Sequence, residues 1–156
     1  MAESVIHNTF VIERIFWQPP ARLFTAFADP DRKRRWYATG EHHAVREYRL
    51  DFRVGGGEHW WGEFDAGTPF AGTKLASDGI HLVIVPDSRI VLAADMRFAD
   101  RRISCALITF AFVPESEGRL LILTHQAAFL EAADGPEIRE AGWRELLDRL
   151  EAELES

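Results

Sequence analysis

Apolar and polar residues alternate in short runs along most of the chain, and only the last segment has a helical period. From Val45 to Ala127, runs rich in β-branched and aromatic residues are separated by turn signals, which predicts an antiparallel sheet of about six strands. Turns as short as "PDSR" and "PESEG" cannot hold the crossover that a parallel pair requires. After Gly135-Pro136, apolar residues recur every three or four positions, which predicts one long amphipathic helix to the end of the chain. The apolar stripe of that helix comprises Ile138, Trp143, Leu146, Leu147, Leu150 and Leu154.

The residues that precede the sheet predict a strand followed by two short helices. His7–Phe16 is rich in β-branched and aromatic residues and is typical of a strand. Pro19 and Pro20 suit the first turn of a helix, where the missing N–H groups cost nothing, and Asp31–Tyr37 predicts a second helix. We expect the basic run Arg32–Arg35 to form a solvated face of that helix; the alternative is an entrance that attracts an anionic ligand head.

Together these elements predict one α+β domain over residues 1–156. An antiparallel sheet and a long amphipathic helix must both hide apolar surface, and a sheet that curls around the helix hides both. Curling requires bends within strands, which glycines supply without a Cβ clash. We therefore interpret the triplet Gly55–Gly57 as a strand bend or a hairpin turn.

The tryptophan pair that follows the glycines decides which side chains of its strand face the helix. In a strand, Trp60 and Phe64 share one face, while His59, Trp61 and Glu63 share the other. We expect the face of Trp60 and Phe64 to be the inner one because it is the more apolar. A slip of one residue at the glycines would instead place His59, Trp61 and Glu63 inside.

Two predicted strands, "ISCALITFAF" and "LLILTH", are apolar on both faces. A sheet covered on one side only alternates apolar with polar residues, so the second apolar row indicates that the convex face is covered as well. The expected cover is a second copy of the chain, which predicts a homodimer through the convex face. The alternative is a set of scattered apolar surface residues, as many proteins have. We expect Cys105, in the second row, to be a small buried hydrophobe.

Composition and charge exclude several classes of function. The chain has 156 residues, a net charge of −7 and a pI near 5.4, which argues against binding of nucleic acid. A lone cysteine cannot form an internal disulfide and fits a reducing cytoplasm. No apolar run reaches the ~20 residues that span a bilayer, and no signal-peptide pattern begins the sequence. His42 and His43 point in opposite directions in a strand, and no other ligand spacing is present, so we expect no metal and no cofactor.

Several stretches resemble the activator of Hsp90 ATPase homologue 1-like family, which belongs to the START/Bet v 1-like (SRPBCC) helix-grip superfamily. The similar stretches are "FWQPPARLFTAFADP", Arg35-Trp36, "DFRVGG", "GIHLVIVPDSRIVL", "LLILTH" and "AGWRELLDRLEAEL", in the order that the family has. The resemblance implies a curved antiparallel sheet of about six to seven strands around the C-terminal helix, with an apolar cavity between them. The third glycine, Trp17 and the doubled tryptophan depart from the family pattern.

The expected function is binding of a small, mostly apolar molecule in that cavity, without assigned catalysis. Burial of apolar area would supply the affinity, and His125 with an indole N–H would orient the ligand. Gly142 would either let the sheet pack closely against the helix or leave room for the ligand beside Trp143. The candidate ligand-binding residues are Trp36, Trp60, Phe64, Phe98, Phe110, Leu123, His125, Gly142, Trp143 and Leu146.

Two other functions are compatible with the same fold. One is an enzyme of the cyclase, hydratase or hydrolase type, which would use His59 and Glu63 in the slipped register. The other is activation of a chaperone ATPase of the Hsp90 type, as the family name suggests.

Overall fold

The structure is a computed structural model that describes residues 4–38 and 42–156. The described residues form seven strands and three helices. In chain order these are β1 (Ile6–Phe16), α1 (Pro20–Ala28), α2 (Pro30–Tyr37), β2 (His43–Leu50), β3 (Gly57–Phe64), β4 (Lys74–Val85), β5 (Arg89–Phe98), β6 (Arg101–Glu115), β7 (Gly118–Phe129) and α3 (Pro136–Glu155).

All seven strands join one curved antiparallel sheet in the order β1-β7-β6-β5-β4-β3-β2. Short hairpins connect β4 to β5 and β6 to β7, as the turn signals predict, and a third short hairpin connects β5 to β6. β1 pairs with β7, so the first strand of the chain lies beside the last strand. The α+β helix-grip fold is confirmed.

The hydrophobic core lies between the inner face of the sheet and the three helices, in the space that we call the interior. Every second residue of β7 is buried there, and α3 contributes buried residues one helical turn apart. The α3 stripe differs from the prediction at its start, because Ile138 is 65% exposed and Arg139 is buried instead. The buried α3 residues are Arg139, Trp143, Leu147, Leu150 and Leu154.

The glycine triplet forms the turn from β2 to β3 and also pairs with β4. Gly55 has φ +83°, a conformation that favours glycine. A Cβ on Gly56 would lie 2.1 Å from the backbone oxygen of Asp51, so this position admits no side chain. The Gly55 N–H donates to the His81 oxygen (2.8 Å), and the His81 N–H donates to the Gly56 oxygen (3.0 Å). The hairpin-turn interpretation is correct, and the turn also fixes His81.

The position of Gly142 contradicts both roles that we expected for it, close packing against the sheet and room for a ligand. It lies on the exposed side of α3, and no atom lies within 4 Å of the Cβ that alanine would add. We therefore expect Gly142→Ala to raise the free energy of unfolding by about 0.5–1 kcal/mol, because alanine loses less backbone entropy in a helix. Urea denaturation measures this change. An unchanged or lower stability would show that the glycine has a contact that the structure lacks.

Candidate functional site

An aromatic cluster fills the middle of the interior and includes several predicted ligand residues. Trp143 packs against Phe110 with ring centroids 5.7 Å apart and against Tyr37 at 5.8 Å. Phe27 joins Trp36 to Phe110, at 5.0 Å from each ring. The Trp36 indole N–H donates to the backbone oxygen of Ala26, which satisfies its one polar atom. Trp36, Phe110 and Leu123 are no more than 1% exposed and are core residues.

The other predicted ligand residues lie around the margins of this cluster. Phe64 and Phe98 are partly buried and pack with Phe70 in a separate aromatic group, with centroids 5.2–5.9 Å apart. Leu146 is partly buried against the core cluster, on the α3 turn that follows Trp143. The interior therefore brings Trp36, Phe110 and Trp143 together and leaves Phe64 and Phe98 in a group of their own.

The two tryptophans of β3 face opposite sides, in the register that we expected. Trp60 is 7% exposed and lies on the inner face. Its ring is stacked with the His43 ring, with centroids 5.8 Å apart. Trp61 lies on the outer face, where its indole N–H donates to Glu47 at 3.0 Å. Lys74 lies over the same ring, 5.0 Å from its centroid.

This register removes the catalytic pair that the slipped alternative required. His59 lies on the outer face and pairs with Asp78, whose carboxylate also binds Arg97. Glu63 is on the same face, 3.9 Å from Arg46. The hypothesis that His59 and Glu63 catalyse a reaction in the interior is wrong, because neither side chain enters it.

A buried ion pair, which we did not predict from the sequence, lies on the inner face. The Lys33 ammonium is 2.9 Å from Glu58 Oε1 and 2.7 Å from Oε2, and each residue is 3% exposed. The Tyr48 hydroxyl donates to Glu58 Oε2. Lys33 Nζ also lies 4.7 Å from the centre of the Tyr37 ring. Burial, followed by the charge of Glu58, raises the pKa of the Tyr48 hydroxyl, so Tyr48 acts as a neutral donor.

The sequence carried two signals for this ion pair. Glu58 shares the parity of Trp60 on β3, so a correct register places both on the inner face. Lys33 precedes Trp36 by three residues and Tyr37 by four, which places it on their side of α2. The prediction of a solvated face for Arg32–Arg35 is therefore wrong at Lys33.

His125 lies in a different part of the interior, near Arg139 at the start of α3. Its ring stacks on Phe10 with centroids 4.5 Å apart, and Nδ1 is buried with no hydrogen-bond partner in the described structure. Nearby, Arg139 donates to both oxygens of Asp134 (2.8 Å each) and to Ser104 Oγ (3.0 Å). Burial, together with the charge of Arg139, lowers the pKa of His125 to about 4.

The His125 pKa predicts a loss of stability in acid. The unfolded chain protonates this histidine near pH 6.5, whereas the folded protein does so only near pH 4. The free energy of unfolding therefore keeps its full value above pH 6.5. It decreases by up to about 3 kcal/mol as the pH falls towards 4. Urea denaturation of wild type and His125→Phe at pH 7, 5.5 and 4 measures it. Parallel pH dependence in the two proteins would contradict the prediction.

Three buried ring nitrogens in the interior lack a partner within the described part of the chain: Trp60 Nε1, His81 Nε2 and His125 Nδ1. The Tyr37 hydroxyl lies beside Trp60 Nε1 and accepts from it weakly, outside the geometry of a full hydrogen bond. Buried polar atoms are normally paired, so these positions can orient a bound molecule or an ordered water. Within residues 4–38 and 42–156, no group of three His, Cys, Asp or Glu side chains is arranged to hold a metal ion.

Two shallow depressions lie on the surface of the described residues, and none of the ten candidate ligand-binding residues lines either of them. One, of about 420 Å³, lies between α1, α2 and the end of α3. Most of the charged side chains that line it have partners. Arg35 binds Glu153 through two nitrogens, and Arg22 donates to the backbone oxygen of Ser156. The other, of about 410 Å³, lies across β1, β7 and β6 and includes Cys105. Cys105 is exposed there, so its expected burial is wrong.

The outer face of the sheet carries an uncovered apolar row. The side chains involved are between 37% and 52% exposed and come from β1, β4 and β6. They are Val11, Ile15, Ile80, Leu82, Val85, Leu107 and Val113. Of the second row predicted for β6, Cys105 and Leu107 are exposed, whereas Ile103 is buried. No described element of the chain covers the exposed apolar side chains of this face. None of the described helices has the length and apolar composition of a membrane span.

The model of the activator of Hsp90 ATPase homolog 1-like protein family matches residues 18–155. The chain belongs to this family. Family membership agrees with the curved sheet, the long α3 and the inward-facing aromatic residues described above. A comparison with curated proteins finds no match.

Solved structures of similar proteins share the fold of this family member. A protein from Rhizobium leguminosarum is 37% identical with a TM-score of 0.89, and 99% of each chain is covered. A protein from Rhizobium loti is 41% identical with a TM-score of 0.84, over 96% of this chain and 99% of that one. A family protein from Aeromonas hydrophila, 21% identical with a TM-score of 0.66 over 95% and 92% of the two chains, shows the fold alone.

Proposed function

We propose that this family member binds a small, mostly apolar molecule between the curved sheet and α3, at the margin of the aromatic cluster that fills the middle of the interior. The observation that carries the proposal is the Trp60 indole, which is buried on the inner face and whose N–H makes only a weak contact with the Tyr37 hydroxyl among the described residues. Such a donor orients a ligand whose affinity comes from apolar burial, at ~25 cal/mol per Å².

Partly buried side chains beside Trp60 and on α3 support an accessible site at the margin of the interior. Tyr37 and Leu146 are partly buried hydrophobics at the margin of the core cluster, and His43 is partly exposed beside the Trp60 ring. Burial, with the charge of Arg149, lowers the pKa of His43, so this ring is neutral at pH 7. A ligand entering past these residues meets aromatic faces and one N–H donor, which suits an aromatic or alicyclic molecule.

A blocking variant tests the proposal. Leu146→Trp adds a large ring at the margin of the interior, whereas Ile138→Trp adds the same ring at a position that is 65% exposed on the same helix. With 2-naphthol as the probe, we expect calorimetric binding to wild type and Ile138→Trp, and at least tenfold weaker binding to Leu146→Trp. Equal affinities in all three proteins, or no binding to wild type, would refute an interior site.

A second proposal concerns the outer face, for which the uncovered apolar row is the supporting observation. We propose that two copies of the chain associate through this face. The row is flanked by charges of both signs, including Asp78 and Arg102, as a surface that pairs with itself requires. We expect sedimentation velocity to show a dimer for wild type and for Ile138→Lys, and a monomer for Leu107→Lys. A wild-type monomer would contradict the proposal.

The description of the family also names activation of the Hsp90 ATPase. For this chain that activity is a third proposal, and its support is family membership alone. Stimulated ATP hydrolysis by an Hsp90-type chaperone of the same cell, measured with and without the protein, tests it. A cytoplasmic location likewise stays a prediction.

A further inference from the structure

His81 presents a free lone pair to the interior. The residue is 1% exposed on the inner face of β4, and its Nδ1 lies 3.0 Å from the backbone oxygen of Gly56. A carbonyl oxygen can only accept, so Nδ1 carries the proton, and Nε2 of the neutral ring is an acceptor. Nε2 is buried and has no donor among the described residues.

The glycine turn holds this ring in place. Two backbone hydrogen bonds join His81 to Gly55 and Gly56, and the Gly56 oxygen accepts from both the N–H and the ring of His81. Because Gly56 cannot carry a side chain, the turn keeps its carbonyl directed at the imidazole. Gly55 and Gly56 therefore set the strand position, the ring orientation and the tautomer of His81.

The charged and polar groups that face His81 cannot satisfy its lone pair. Lys33 directs its ammonium at both oxygens of Glu58 and at an aromatic ring, and Tyr48 donates its proton to Glu58. Asp51 acts on His81 only through its negative charge and cannot donate a proton, and the Phe52 ring lies edge-on at 5.3 Å. Burial lowers the pKa of His81, which agrees with a neutral ring.

We propose that His81 Nε2 accepts a hydrogen bond from a hydroxyl group of the ligand, so that the ligand class is small apolar alcohols or phenols. This inference rests on the proposed binding in the interior, and it concerns the part beside the glycine turn, because His81 lies four residues along β4 from Ser77, the strand partner of Trp60. Phe52 packs against Phe24, with centroids 5.7 Å apart, and both are partly exposed at the edge of the core. An aromatic rim beside a buried acceptor favours a neutral donor over a carboxylate, whose lone pairs would face that of His81.

Three probes of similar size, 2-naphthol, naphthalene and 2-naphthoate, test the hydroxyl inference separately from the existence of an interior site. We expect wild type to bind 2-naphthol about tenfold more tightly than naphthalene, the ratio that one neutral hydrogen bond supplies, and to bind 2-naphthoate more weakly than either. In His81→Leu, 2-naphthol and naphthalene should bind equally. If wild type binds naphthol and naphthalene equally, the hydroxyl inference fails and the interior site stands; if it binds neither, both fail.

A spectroscopic signal of the wild-type protein covers the case in which His81→Leu does not fold. In protein labelled with ¹⁵N-histidine, we expect His81 to show a protonated Nδ1 and an unprotonated Nε2. Saturating 2-naphthol should move the Nε2 resonance towards values of a hydrogen-bonded acceptor, and naphthalene should not. An Nε2 resonance that responds identically to both probes would overturn the inference, because an ordered water would then satisfy His81.

Discussion

Replacing Glu58 with leucine destabilises the protein by about 3–5 kcal/mol, because it leaves the Lys33 ammonium buried without a counter-charge. The two side chains are almost fully buried, and both carboxylate oxygens lie within 2.9 Å of Lys33 Nζ. Loss of Glu58 also leaves the Tyr48 hydroxyl without its acceptor. Urea denaturation at pH 7 measures the change in the free energy of unfolding. We expect the same range for Lys33→Met, which leaves the carboxylate unpaired.

The double variant Lys33→Met/Glu58→Leu is the control for charge. Replacing both partners of a buried ion pair with apolar residues of similar size is commonly neutral or stabilising. We therefore expect the double variant to recover most of the stability that either single variant loses. Additive losses in the double variant would mean that the two side chains act through packing and not as a pair.

Gly56→Ala lowers stability by more than about 3 kcal/mol, at or above the upper end of the range for overpacking. The added Cβ would lie 2.1 Å from the Asp51 oxygen and 3.0 Å from the Arg53 oxygen, and both are backbone atoms that cannot rotate away. Relief requires the turn to open, which breaks the pairing of the turn with His81. Thermal and urea denaturation measure the loss.

The neighbouring glycine provides the matched control for this substitution. A Cβ on Gly57 would meet only the Gly79 oxygen, at an ordinary contact distance of 3.5 Å, and Gly57 is exposed. Gly57→Ala should therefore change stability by less than about 1 kcal/mol. Similar losses at both positions would show that the turn tolerates no alanine for a reason other than the Asp51 contact.

The period of apolar residues predicted the fold because each element hides one face. The turns "PDSR" and "PESEG" specified neighbouring antiparallel strands, and the stripe on α3 specified the helix that the sheet covers. The inner register of β3 followed from the preference of Trp60 and Phe64 for burial. Family resemblance added the order of the parts, and the match over residues 18–155 agrees with it.

The candidate site was less predictable because its polar groups depend on contacts between distant elements. Lys33 and Glu58 are 25 residues apart, and a charged side chain is usually exposed unless a partner accompanies it inside. The helix pattern placed Gly142 inside because it lies four residues from both Ile138 and Leu146, but Ile138 is exposed and Leu146 is only partly buried. The tautomer of His81 follows from one backbone oxygen, which only the folded turn brings into range.

The indole N–H resonances of the five tryptophans test an interior ligand site most directly. Trp60 and Trp143 lie inside, Trp36 donates to a backbone oxygen in the core, Trp61 lies on the outer face, and Trp17 is 64% exposed. When 2-naphthol is titrated into ¹⁵N-labelled protein, we expect the Trp60 and Trp143 resonances to shift while those of Trp17 and Trp61 stay in place. Shifts confined to Trp17 and Trp61, or no shift at saturation, would contradict binding between the sheet and α3.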